Sequence, residues 1–163
     1  MDVQLINPFV CAAGQVFKTM LGCQVTPGKA EAVARLEHRR GTVDAIVAME
    51  GGATGALVLR VSSRVVQPVA AALDGGDPEG NVEDAIGELA SMITGVAKKS
   101  LKTHLVRISV PTVARDPSER AIIARLRPWL VVPFSCPFGP FALAVSFRAD
   151  PAASHRPTAG PAD

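Results

Sequence analysis

The stretch TVDAIVAMEGGATGALVLRV, residues 42–61, decides the fold. Thr42–Glu50 and Ala53–Val61 are alternating or β-branched runs joined by Glu50-Gly51-Gly52, the pattern of an antiparallel hairpin. Downstream, Leu105–Val113, Trp129–Phe134 and Phe141–Phe147 read as further strands, the last two linked through Ser135-Cys136-Pro137-Phe138-Gly139-Pro140. Upstream, Pro27-Gly28 marks a turn, and Cys23–Arg40 is read as mostly strand although Glu31–Arg40 favours helix by propensity. The hairpin thus predicts a sheet whose neighbours are also antiparallel.

The segments around it are helical. Asn7-Pro8 reads as an N-cap followed by proline at the first helical position, with Phe9, Val10, Ala13, Val16, Phe17, Met20 and Leu21 at helical spacing up to Gly22. Ser62 or Ser63 caps a short helix to about Leu73, where Asp74-Gly75-Gly76-Asp77-Pro78 stops it. Pro68 falls inside, so a kink or a later start is expected there. The longest helix runs from about Asn81 to Leu101. The sum is an α+β fold, a mostly antiparallel sheet of about six strands covered by long helices on one face. Residues 1–149 form a single domain, and the Pro, Ala, Ser and Gly of residues 150–163 predict a disordered tail.

Composition narrows the function classes. The chain has 163 residues, 48% hydrophobic and 20% charged, with a formal net charge of +2. That balance is poor for a broad duplex nucleic-acid or anionic membrane surface, so neither partner is expected. The cysteines Cys11, Cys23 and Cys136 are odd in number and lack CxxC spacing, which predicts reduced thiols in a cytoplasmic protein. No signal peptide or spanning segment is read. His38, His104 and His155 are scattered, so no metal site is expected.

The helix from Asn81 carries the chemistry. Val82, Ala85, Ile86, Leu89, Ile93, Val96 and Ala97 gather on one side and should pack on the sheet. Opposite them, Asp84, Glu88, Ser91 and Gly95 fall at i, i+4, i+7 and i+11, within roughly 60° of one another. A solvated helix face accounts for such a row by default. Against that, Gly95 and Gly87 each cost about 1 kcal/mol relative to alanine, which suggests close approach of another backbone or another molecule.

Here the sequence resembles a known family. The run from Asp84 through Glu88 and Ser91 to Gly95 is similar to the signature of the CheX and CheC chemotaxis phosphatases, D/S-x-x-x-E-x-x-N followed by a glycine four residues later. Asp84, Glu88 and Gly95 match, while Ser91 stands where the family has asparagine. Ile6-Asn7-Pro8-Phe9, Val16 to Gly22, the hairpin Val47 to Val61, Ile108 to Val113 and Phe138-Gly139-Pro140-Phe141 resemble CheX in the same order, up to about residue 148. One signature helix resembles CheX rather than CheC, which carries two, and the related FliY branch is a component of the flagellar switch.

The resemblance implies a partner and a reaction. The partner is a phosphorylated response regulator of the CheY type, whose aspartyl phosphate is hydrolysed faster, often by a homodimer. The family needs no cofactor of its own, because the regulator is expected to hold the Mg2+ and to supply a lysine that neutralises phosphoryl charge. A side-chain amide can accept from the attacking water and donate to a phosphoryl oxygen, while a glutamate one turn earlier can meet the regulator's lysine. By resemblance Glu88 anchors and Ser91 positions, with Asp84, Glu88 and Gly95 at the partner contact. A serine hydroxyl has the needed donor and acceptor capacity but is shorter by a little over 1 Å. Two outcomes therefore stand: an active phosphatase, or a homologue that binds a regulator without catalysis. Thr94, roughly 80° from the row, is a poor substitute for Ser91.

Overall fold

The computed structural model describes residues 3–73, 75, 81–101, 106–121 and 123–149. The expected disordered tail, 150–163, and two of the histidines, His104 and His155, lie outside them. After a 3-10 turn at Val3–Leu5 come α1 (Asn7–Leu21), the short β1 (Thr26–Pro27) and β2 (Glu31–Val33), and the hairpin β3 (Thr42–Gly51) and β4 (Ala53–Ser62). Then follow α2 (Ser63–Leu73), α3 (Val82–Ser100), β5 (Val106–Ile108), β6 (Thr112–Ala114), a 3-10 turn at Pro117–Arg120, β7 (Trp129–Cys136) and β8 (Gly139–Ala149).

All eight strands form one antiparallel sheet, in the order β1-β7-β8-β4-β3-β5, with β2 also on β7 and β6 also on β3. The hairpin is its centre, in register from Thr42↔Ser62 to Met49↔Gly55, and Gly51 takes a positive φ of 118° at the turn. The sheet has eight strands rather than the six expected because two expected runs are each divided. Cys23–Arg40 yields β1 and β2, with irregular chain beyond Val33. Leu105–Val113 is divided by Ser109-Val110-Pro111.

That second division is a bulge. Along β3, Met49 pairs with Ile108 and Ile46 with Thr112, so three steps on β3 face four on its neighbour. Pro111 has no N–H for the ladder. Ser109 fills the gap: its N–H donates to the Ala48 carbonyl at 2.9 Å, and the Ala48 N–H donates to Ser109 Oγ at 3.0 Å.

The helices lie on one face, as expected. On that side Val43, Val47, Met49, Leu57 and Leu59 meet Phe9, Phe17, Ile86, Leu89 and Ile93, all essentially inaccessible to solvent. Each such side chain contributes about 1.5–3 kcal/mol of burial. Phe141 joins α1 to the sheet, stacked on Phe17 at 4.5 Å and on Phe134 at 4.8 Å. The other face is covered by irregular chain: Trp129 sits with Ile46, Val58 and Ala144 beneath Leu36, Ile123 and Leu126.

That second face buries charge as well. Asp44 accepts from Arg60 Nε at 2.7 Å and Nη2 at 2.8 Å, and its Oδ2 is 3.1 Å from Arg120 Nη2. Arg60 also donates to the Glu37 carbonyl and Arg120 to that of Leu36, which ties the covering chain down. Burial pushes the Arg120 guanidinium below its ordinary range, against the pull of Asp44.

Two boundaries differ from expectation. Asn7 is the first residue of α1 rather than its cap, with Ile6 at the N-cap and no side-chain cap bond. Pro68 neither breaks nor delays α2, which starts at Ser63. The stop after it is only partly described, through Gly75 with φ 68°.

Candidate functional site

The site is built on α3. Asn81 caps it, its Oδ1 accepting from the N–H groups of Glu83 and Asp84 at 3.1 and 3.2 Å. Glu83 and Asp84 in the first turn and Lys98 and Lys99 in the last complement the helix dipole. Ala85, Ile86, Leu89, Ile93 and Ala97 are buried against the sheet and α1, which turns the opposite row outward.

Asp84 and Glu88 are exposed, and Ser91 and Gly95 are half-buried. The four expected residues therefore line one solvent-facing side of the helix. Among the described residues neither the Asp84 nor the Glu88 carboxylate has an ion-pair partner, whereas neighbouring Glu83 holds Arg115 Nε at 2.7 Å. The row thus exposes two carboxylates toward its N-terminal end.

Ser91 is recessed. Its Oγ is buried and has no hydrogen-bond partner among the described residues. Thr94 makes the contrast: it is buried, and its hydroxyl donates to the Ala90 carbonyl at 2.8 Å in the usual helical back-bond. Thr94 is thereby removed as a substitute, while the Ser91 hydroxyl stays uncommitted.

The two glycines separate. A Cβ on Gly87 would lie 3.2 Å from Pro111 Cγ and 3.4 Å from Val113 Cγ2, so Gly87 lets the bulged strand press on the helix. A Cβ on Gly95 would meet nothing within 4 Å. Internal packing thus explains Gly87 and leaves Gly95 open to another molecule.

Between helix and bulge runs a shallow groove of about 350 Å³. Asp84, Gly87, Glu88 and Ser91 form one wall, and Val110, Pro111 and Val113 the other. The strand-side wall was not anticipated from the sequence, where Leu105–Val113 reads as one uninterrupted strand. Pro111 is the signal that could have found it, since proline within a strand marks an edge or a bulge. The groove can admit the rim of a second macromolecule, presenting two exposed carboxylates, with the Ser91 hydroxyl recessed in its helix-side wall. Among the described residues no three His, Cys, Asp or Glu side chains cluster as metal ligands, and no helix is long and apolar enough to cross a membrane.

Comparison with known proteins follows the same line. The family model for the chemotaxis phosphatase CheX matches residues 43–135, which contain the hairpin, α3 and the bulge. No curated protein matches the chain. Among solved structures, a CheC-like superfamily protein from Shewanella sp. PV-4 is 26% identical with a TM-score of 0.73, covering 91% of this chain and 100% of that one. CheX from Desulfovibrio desulfuricans is 22% identical with a TM-score of 0.72, over 91% of this chain and 100% of that one. The CheX of the CheX–CheY–BeF3–Mg2+ complex from Borrelia burgdorferi is 21% identical with a TM-score of 0.69, over 90% of this chain and 99% of that one.

Proposed function

Because this chain belongs to the CheX family, we propose that it docks on a phosphorylated CheY-type response regulator through the α3 row and accelerates hydrolysis of the regulator's aspartyl phosphate. The observation that carries this reading is the placement of Asp84, Glu88 and Ser91 along one groove, with both carboxylates exposed and without an ion-pair partner among the described residues. The CheX–CheY complex among the structural neighbours supports the choice of partner.

In this account Glu88 meets the regulator's lysine as a charge-assisted contact and fixes the angle of approach. Ser91 Oγ, turned outward from its recess on docking, accepts from the attacking water and holds it in line with the bond to the leaving carboxylate. The regulator supplies Mg2+, which neutralises phosphoryl charge; this chain supplies orientation alone. Gly95 keeps the helix narrow where the partner backbone comes near.

The recess of Ser91 favours a second reading, a homologue that docks without hastening hydrolysis. The two share their first step, and calorimetric titration of a CheY-type regulator carrying beryllofluoride and Mg2+ tests it. The parent chain is expected to bind and Glu88→Ala to bind at least about tenfold more weakly, as expected for loss of a charge-assisted contact. Equal affinity of parent and variant would remove Glu88 as the anchor. The homodimer expected from the family is a separate proposal, and a monomeric mass by light scattering removes it.

A further inference from the structure

Resting on that docking reading, we propose that Val110 is an apolar knob that packs against the rim of the regulator's phosphorylation pocket while Glu88 enters it. Val110 is 84% exposed, the most exposed large apolar side chain among the described residues. Single exposed valines are ordinary on a protein surface. This one is held out by construction, because the extra residue between Ile108 and Thr112 lies in the bulge that carries it.

The bulge is braced on both sides. Ser109 exchanges hydrogen bonds with Ala48 and donates Oγ–H to the Val110 carbonyl at 2.9 Å. Pro111 rests on Gly87, where an added Cβ would stand 3.2 Å from its Cγ and crowd it. Bulges next to functional sites commonly re-aim a side chain, and here the re-aimed side chain borders the groove that holds Glu88 and Ser91. A fixed apolar knob loses little conformational freedom on association, so its burial passes largely into affinity.

The occupant follows from charge as well as position. Asp84 and Glu88 are exposed carboxylates within the same groove, without an ion-pair partner among the described residues, so the partner must bring cationic groups to the helix side and an apolar patch to the strand side. A regulator pocket holding Mg2+ and lysine meets the first requirement. The second restricts the partners to regulators whose pocket rim is apolar opposite Val110.

Val110→Ser and Val110→Ile are compared by the titration with beryllofluoride-activated regulator at low and high salt, with Glu88→Gln alongside. Val110→Ser is expected to weaken binding about tenfold at both salt concentrations, as for loss of a buried apolar anchor, and Val110→Ile to stay within about twofold of the parent. The deficit of Glu88→Gln shrinks at high salt. Because the side chain is exposed, both Val110 variants keep the parent's melting temperature. Binding by Val110→Ser within about twofold of the parent overturns the knob and leaves the docking reading standing. A parent that fails to bind overturns both. Altered self-association by Val110→Ser with unchanged regulator affinity overturns the knob in favour of a contact between copies of this chain.

Discussion

Ser91 and Thr94 lie three residues apart on α3 and have opposite fates. The Thr94 hydroxyl is bonded to the Ala90 carbonyl, and the Ser91 hydroxyl is bonded to nothing described. Its recess means that a longer side chain at this position would reach farther into the groove. Misplacement by about 1 Å can reduce a rate on the order of 10²-fold. Ser91→Asn is therefore expected to raise the acceleration of regulator dephosphorylation by about 10- to 100-fold, and Ser91→Ala to remove it. Dephosphorylation assays on the two variants check this; acceleration by Ser91→Ala equal to the parent's would exclude the hydroxyl as the positioner. The row itself was legible, because helical spacing alone brings Asp84, Glu88, Ser91 and Gly95 together. The groove was not, because its other wall is formed by Val110, Pro111 and Val113, distant in sequence.

At the scale of the element, α3 carries two glycines with different purposes. Gly95 has open space around it, so Gly95→Ala is expected to stabilise the protein by about 1 kcal/mol through helix propensity, raising the melting temperature by roughly 2–4 °C. Gly87→Ala meets Pro111 and Val113, and that gain is offset by displacement of the bulge. Thermal unfolding of the two variants should rank Gly95→Ala above the parent and Gly87→Ala below Gly95→Ala. Equal gains would show that the bulge does not press on the helix. The helix and the central hairpin were read correctly because each obeys one period over many residues. The bulge was missed because its flanks, Leu105–Ile108 and Thr112-Val113, continue the same apolar pattern, and a shift of one residue leaves no trace in composition. The cap of α1 was misread because Asn7-Pro8 satisfies the usual signal while Ile6, whose side chain cannot cap, occupies the position.

For the molecule as a whole, the sheet separates two tasks. Its helix side carries α3 and the groove, and on its far side Leu36, Ile123 and Leu126 cover Trp129, with the Asp44, Arg60 and Arg120 cluster on the same face. Nothing local in the sequence joins Asp44 to Arg120, so only the fold reveals that charge is buried there. Removing the buried carboxylate leaves two guanidiniums facing each other with only the more distant charge of Glu37 to offset them, and Asp44→Ala is expected to cost about 3–5 kcal/mol in urea unfolding while the folded fraction binds a regulator as before. A loss below about 1 kcal/mol would mean that water already reaches the cluster. Under the proposed function, the charge cluster of the far face contributes to stability alone, and the groove between α3 and the bulge meets the regulator. The half-life of a phosphorylated CheY-type regulator, followed with and without a stoichiometric amount of this chain, tests that function most directly. The account predicts a shorter half-life that Glu88→Ala restores to its unassisted value; an unchanged half-life in the presence of chain that demonstrably binds would contradict it.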